Sequence, residues 1–136
     1  MARLVWWTLV FILIVHAVGI ISGMYYRLWW LDIPMHLAGG AWVALLFLYL
    51  FTERWNVFSG KEIEHRVRIF LLALGFVALA AVLWECYEYL YDVFIAERHG
   101  FLLTQQGVSD TMGDLVNGLI GGAVVALVYF WSLKGK

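Results

Sequence analysis

Acidic and histidine side chains recur at helical spacing inside apolar stretches of this 136-residue sequence. They form three groups whose members stand three or four positions apart: Asp32 and His36; Glu85, Glu88 and Asp92; Asp110, Asp114 and Asn117. Because residues at these spacings share one face of an α-helix, each group predicts a polar stripe on one helix. Carboxylates around a single imidazole can bind Mg, Mn, Fe or Zn, and an oxygen-rich set favours the hard ions among them.

Burying several carboxylates together is costly, and this cost predicts a bound cation. Each charged side chain at the centre of a membrane costs about 2.5–3.5 kcal/mol on insertion scales, and like charges add repulsion. Protonation or pairing with Arg27 and Arg98 would relieve part of the cost, but two arginines cannot neutralise six clustered acids. We therefore predict a divalent metal ion with these ligands: Asp32, His36, Glu85, Glu88, Asp114 and Asn117. The predicted catalytic residues are Glu88, as general base, and Asp110.

The same residues also have a structural interpretation. Asp32, Asp92 and Asp110 could be solvated side chains at helix ends, since acids favour helix N-termini. The polar residues inside the apolar stretches could form a hydrogen-bond network that holds the helices together without binding an ion. Elemental analysis of the purified protein would separate this interpretation from a metal site.

Other candidate residues are weaker. His16 stands alone on the first apolar stretch, which favours a satisfied buried histidine. His99 and the loop over residues 99–110 could reach the site, although a surface role is favoured for His99. The single cysteine, Cys86, excludes an intramolecular disulfide and any multi-cysteine metal site. The formal net charge of −1 gives no basic field that would attract nucleic acid.

The elements that position these side chains are predicted to be membrane-spanning helices. Hydrophobic residues make up 64% of the chain and charged residues 14%, whereas soluble domains carry about a quarter charged residues. Four apolar stretches approach the roughly 20 residues that a helix needs to cross a bilayer: residues 4–21, 33–51, 67–91 and 114–131. The length of the first favours an uncleaved anchor over a signal peptide. The prediction is a single all-α domain, a polytopic bundle of four transmembrane helices.

The order of the polar motifs resembles that of known small membrane proteins. The motifs are Asp32-x-x-x-His36, Glu85-x-x-Glu88 and Gln106-Gly107-x-x-Asp110-Thr111-x-x-Asp114-x-x-Asn117. Over about residues 32 to 122 the chain is similar to the VanZ-like and YjdF-like bacterial membrane proteins, and its Glu-x-x-Glu pair is closer to the YjdF-like branch. The resemblance implies a small protein of the bacterial inner (plasma) membrane, with a link to glycopeptide tolerance in one branch.

These features lead to one main functional hypothesis and two alternatives. The main hypothesis is a metal-dependent membrane enzyme, a hydrolase or a transferase, that acts on a lipid or cell-envelope substrate at the outer leaflet. The first alternative is a protein that binds or transports a cation or protons, because intramembrane carboxylates mark such routes. The second is a non-catalytic assembly protein with a structural polar network. The expected partners are membrane lipid and a lipid-linked substrate, with no nucleic acid, and a homo-oligomer is left open.

Basic residues predict how the chain is oriented. With four spans, both termini and the loop over residues 52–66 share one side, which carries seven lysines and arginines: Arg3, Arg54, Lys61, Arg66, Arg68, Lys134 and Lys136. The other side carries only Arg27 and Arg98. Because positively charged loops stay in the cytoplasm, both termini should be cytoplasmic and the three polar stripes should meet in the outer leaflet.

This orientation predicts the behaviour of reporter fusions. Alkaline phosphatase, which needs export for activity, should be inactive when fused after Lys136 and active when inserted in the loop over residues 99–110. Green fluorescent protein fused after Lys136 should fluoresce. An active phosphatase at the C-terminus would show that the predicted orientation is wrong.

Overall fold

Every regular element in the described part of the chain is a helix. A computed structural model describes residues 1–58 and 63–132. In chain order the elements are α1 (Ala2–Ile21), α2 (Met24–Arg27), α3 (Asp32–Leu48) with a π-helical continuation (Tyr49–Arg54), α4 (Ile63–Tyr91) with a π-helical continuation (Asp92–Ala96), α5 (Glu97–His99) and α6 (Val108–Ser132).

Within the described residues, four helical segments are long and apolar enough to cross a membrane: Ala2–Ile21, Asp32–Arg54, Ile63–His99 and Val108–Ser132. The predicted all-α, four-helix membrane architecture is thereby confirmed. The last helix begins at Val108 rather than at the predicted residue 114, and its first turn holds Asp110, an acid that suits the positive end of the helix dipole. Three residues used to predict the orientation lie outside the described residues: Lys61, Lys134 and Lys136.

The outward faces of the long helices are apolar. Trp6 and Leu13 on α1 are 67% and 55% exposed, and Leu83 on α4 is 59% exposed. In water such a surface would be an aggregation hazard. In a bilayer the hydrocarbon tails cover it, and the backbone polar groups are satisfied within each helix. The polar side chains that a helix cannot expose to lipid must then lie inside the bundle.

The interior of the bundle has two chemically different ends. At one end, which we call the apolar end, the C-terminal half of α3 packs against the start of α4 and the end of α6 through a cluster of buried side chains: Phe47, Leu48, Ile69, Ala73 and Ala126. At the opposite end, the polar end, the start of α3 meets the end of α4 and the start of α6, and the buried residues include Glu85, Asp92 and Asp114.

Glycines let α3 and α6 approach each other until their backbones touch. A Cβ atom on Gly40 would overlap the carbonyl oxygen of Gly118, and one on Gly121 would overlap the carbonyl oxygen of Leu37. Small residues at helix contacts are the usual way in which membrane helices gain close packing, because lipid gives no hydrophobic drive for association. This contact sets the distance between the polar side chains one turn away on each helix.

Replacing Gly40 by Ala should therefore destabilise the bundle, whereas replacing its neighbour Gly39 by Ala should not. The methyl group added at position 40 would overlap the backbone of Gly118, which cannot move aside without displacing α6. We expect the free energy of unfolding to fall by about 1–3 kcal/mol or more. Nothing lies within 4 Å of a Cβ at Gly39. The check is the melting temperature of each variant in detergent. Equal melting temperatures for the two variants would contradict the close contact of α3 and α6.

Candidate functional site

His36 lies between two aspartates at the polar end. Its Nε2 atom is 3.4 Å from Asp32 Oδ1 on the same helix and 3.7 Å from Asp114 Oδ1 on α6. Asp32 and His36 are four positions apart, so they share one face of α3. The glycine contact between α3 and α6 then brings Asp114 to the same histidine. Asp114 is buried, and the other two residues are partly buried.

Two glutamates of α4 complete this cluster. One carboxylate oxygen of Glu85, one of Glu88 and one ring nitrogen of His36 lie within 4.8 Å of one another. The same limit holds for the ligand atoms of Asp32, His36 and Asp114. His36 therefore belongs to both sets, and three helices contribute to a single carboxylate–histidine cluster: Asp32, His36, Glu85, Glu88 and Asp114.

Hydrogen bonds from neighbouring side chains orient both glutamates. Gln105 Nε2 donates to Glu85 Oε2 and to the Glu85 carbonyl oxygen, each at 3.1 Å. Trp84 Nε1 donates to Glu88 Oε1 at 3.0 Å. Around metal sites, such donors fix the orientation of the ligating groups and tune them. Sequence reasoning gave neither Gln105 nor Trp84 this role. For the hydrogen bond between Trp84 and Glu88, the sequence does offer a signal: their four-residue spacing places both on one face of the helix.

Asp92 holds the loop that follows α5 instead of joining the cluster. Thr104 donates to its carboxylate from the backbone N–H, at 2.8 and 3.0 Å, and from the hydroxyl, at 2.9 Å. The Gln105 N–H adds a fourth hydrogen bond, at 2.9 Å. Asp92 is the first residue of the π-helical segment and is only 6% exposed. The interpretation of Asp92 as a solvated helix-end residue is therefore wrong, because the loop backbone supplies its partners.

Two further predicted residues, Asp110 and Asn117, lie on α6 within four positions of Asp114. Asp110 accepts a hydrogen bond from the Gln106 N–H at 3.0 Å and belongs to neither set of ligand atoms. Asn117 is partly buried on α6, three positions beyond Asp114. Within residues 1–58 and 63–132, no salt bridge joins Arg27 or Arg98 to the clustered acids. The arginine pairing considered from the sequence is therefore absent there.

His16 and His99 both have partners other than the clustered acids. His16 Nδ1 is 2.8 Å from the Tyr25 hydroxyl, and its ring meets the Trp84 ring edge to face, with centroids 5.8 Å apart. Burial and the neighbouring acids raise the pKa of Tyr25 to about 12, so its hydroxyl stays protonated near neutral pH. His99 is exposed, and its Nδ1 is 2.8 Å from the Ile95 carbonyl oxygen. The loop over residues 99–110 thus reaches the cluster through Gln105 and not through His99.

Comparison with protein families agrees with this architecture. A family model described as "Predicted membrane protein (DUF2238)" matches residues 1–135. The chain belongs to this family. No curated protein and no solved structure matches the chain. The DUF2238 description states membrane location and no chemistry, so any activity of this member must be argued from its own residues.

The attachment of the loop to Asp92 makes a prediction for this DUF2238 protein. Asp92→Ala should release Thr104 and Gln105, because hydrogen bonds to a charged group contribute about 1.5–3 kcal/mol. Amide hydrogen exchange at both residues should then rise about tenfold or more. Glu97→Ala, which removes an exposed acid from α5, is the control and should change nothing. Unchanged exchange in Asp92→Ala would mean that other contacts hold the loop.

Proposed function

We propose that this protein is a metal-dependent membrane enzyme that acts on a lipid or cell-envelope substrate. The observation that carries the proposal is the position of His36. It belongs to two sets of candidate ligand atoms, whose carboxylates come from three different helices. Carboxylates and an imidazole that converge inside a membrane bundle are functional groups by default, because placing them there is costly.

The spacing of the ligand atoms suits a divalent cation. Ligands on opposite sides of an octahedral Mg²⁺ stand about 4.2 Å apart, and those around Ca²⁺ about 5 Å apart. The ligand atoms of each set all lie within 4.8 Å of one another, so none is farther apart than opposite ligands around Ca²⁺. An imidazole with several carboxylates also binds Mn, Fe or Zn. The donor set therefore fits a divalent ion but does not distinguish between these metals.

Charge balance supports a cation more strongly than a purely structural network. Four carboxylates face a single imidazole, and within the described residues no arginine or lysine forms a salt bridge with them. Even a protonated His36 would neutralise only one of these acids. A divalent ion supplies both the charge and the coordination that the remaining carboxylates need. The contacts of His36 Nε2 with Asp32 at 3.4 Å and with Asp114 at 3.7 Å favour a structural ion-pair network instead.

Transport of protons or cations has less support. The apolar end of the bundle is filled by buried aromatic and aliphatic side chains, among them Phe47, Leu48 and Ala126. In the sequence, no acidic, basic or histidine residue lies between His36 and Glu53 or between Arg68 and Glu85. A continuous relay through the membrane would need acceptors along this half of the bundle.

The residues of the cluster can provide both the metal ligands and the general base that a hydrolase or a transferase needs. A divalent ion held by His36, Asp32 and Asp114 would supply Lewis acidity at a phosphoryl or acyl oxygen. Glu88, whose orientation is fixed by Trp84, would take a proton from the attacking group as general base. Glu85 and Asn117 would complete the ligand set. Asp110, at the start of α6, remains the second proposed catalytic residue.

The location of the reaction follows from the predicted orientation. If the termini are cytoplasmic, the polar end of the bundle lies in the outer leaflet of the membrane. The resemblance to VanZ-like and YjdF-like proteins, carried by Asp32, His36 and the later motifs, supports a bacterial inner membrane and an envelope substrate. The family match itself supports membrane location only.

A bound ion should stabilise the folded protein. At a free ion concentration about 100-fold above Kd, binding to the folded state alone contributes about 2.7 kcal/mol. Chelator should therefore lower the melting temperature of the wild type, and Glu85→Gln and His36→Ala should weaken that response. His65→Ala, whose histidine lies near the start of α4 and outside the cluster, is the control.

Elemental analysis of the same samples completes this test. The wild type and His65→Ala should carry about one divalent ion per chain, and His36→Ala should carry much less. If the wild type carries no metal and chelator leaves its melting temperature unchanged, the enzyme proposal is wrong. The cluster would then be the ion-pair network that the Asp32 contact favours.

A further inference from the structure

A shallow cleft on the surface of the bundle includes Glu85, a residue of the carboxylate–histidine cluster, in its lining. It lies between the end of α4, the loop before α6 and the first turn of α6, and its lining residues are Glu85, Cys86, Tyr89, Leu90, Gln105 and Thr111. At its mouth Tyr89 and Leu90 are 58% and 50% exposed, while Glu85 at its floor is 6% exposed. The exposed lining of the cleft is thus largely apolar, and the buried Glu85 connects it to the cluster.

We propose that this cleft admits a phospholipid-like substrate sideways from the bilayer, with an acyl chain along Tyr89 and Leu90 and a phosphate at the cluster. This inference rests on the proposed metal site, and it adds the substrate class and its route. Glu85 connects the cleft to the proposed metal site, because it lines the cleft and also belongs to the ligand set with His36 and Glu88.

The position of the cleft makes a lipid its natural occupant. The cleft lies toward the polar end of the segment Ile63–His99, which is long and apolar enough to cross a membrane, and Tyr89 and Leu90 expose apolar surface at its mouth. Apolar walls such as Leu90 then offer no penalty to an acyl chain that moves in from the bulk lipid. A water-soluble substrate would have to cross this apolar mouth before it reached Glu85.

Charge complementarity makes phosphate the favoured headgroup. Without an ion, the four carboxylates of the cluster repel an anion. With a hard divalent ion bound, the site matches the arrangement in which one or two carboxylates and a substrate phosphate share the metal. Phosphate binding should therefore depend on the metal, while the chain contact should depend on the walls of the cleft. Gln105, which already donates to Glu85, lies beside this floor.

The experiment measures the binding of three probes to purified full-length protein in detergent. Binding is measured first on protein loaded with Mg²⁺ or Mn²⁺ and again after chelator has been added. The probes are phosphatidic acid, diacylglycerol with the same chains, and inorganic phosphate, and bound lipid is counted by native mass spectrometry. Phosphatidic acid should be retained, and chelator should reduce its affinity about tenfold or more. Diacylglycerol should bind weakly, and inorganic phosphate should not displace the lipid.

A matched pair of variants tests the cleft itself. Leu90→Trp narrows the mouth and should weaken phosphatidic acid binding about tenfold or more, while Val116→Trp, at an exposed position on α6 outside the cleft, should not. Both should keep wild-type metal content. Cys86 gives a second measurement on correctly folded wild type, because it is the single cysteine and lines the cleft. A bulky maleimide on Cys86 should block lipid binding, and bound lipid should protect Cys86 from labelling.

Each result separates this inference from the metal site. Metal-loaded protein that retains diacylglycerol as well as phosphatidic acid would overturn phosphate recognition. Unchanged binding in both Leu90→Trp and the maleimide-modified wild type would overturn the cleft as the route. In both cases the proposed metal site would stand. A wild type without any bound metal would overturn both proposals.

Discussion

The backbone contact between α3 and α6 fixes the geometry on which the rest of this bundle depends. Gly40 lies against the carbonyl oxygen of Gly118, so the two helices cannot move closer, and any side chain larger than hydrogen at Gly40 would push them apart. His36 and Asp114 each lie four positions before these glycines, which is one helical turn. The contact therefore sets the distance between the imidazole and the carboxylate of the opposite helix, and α4 adds its two glutamates to this pair.

The division of the interior into a polar and an apolar end determines what the protein can do. Packing alone explains the apolar end, where Phe47 and Leu48 of α3 meet side chains of α4 and α6. Packing cannot explain why Glu85 and Asp114 are buried at the polar end, because isolated buried carboxylates destabilise a fold. Hydrogen bonds from Gln105 and Trp84 orient the glutamates but leave their charge uncompensated. A cation is the proposed compensation, and such an ion would make the cluster a binding site in addition to a hydrogen-bond network.

Part of this arrangement could be predicted from the sequence because it depends on helical periodicity. The apolar stretches predicted four spans, and the four-residue spacing of Asp32 and His36 placed both on one face of α3. The three-residue spacing of Glu85 and Glu88 did the same for α4. Helices that alternate in direction then bring these faces to the same end of the bundle.

The rest could not be predicted because it depends on local departures from regular helix. Spacing extended the stripe on α4 to Asp92, but the helix becomes π-helical at that residue, and its carboxylate holds the loop backbone instead. The hydrogen bond from Gln105 to Glu85 spans twenty positions and depends on that loop conformation. Neither a π-helical segment nor a loop path follows from a hydrophobic pattern.

Anomalous diffraction from crystals grown with Mn²⁺ would test the central claim most directly, because it locates the ion without reference to activity. The account predicts a manganese peak at the polar end, about 2.0–2.6 Å from a ring nitrogen of His36 and from carboxylate oxygens on at least two of the three helices. A crystal without such a peak, in which His36 Nε2 stays 3.4 Å from Asp32 Oδ1 as an ion pair, would contradict it.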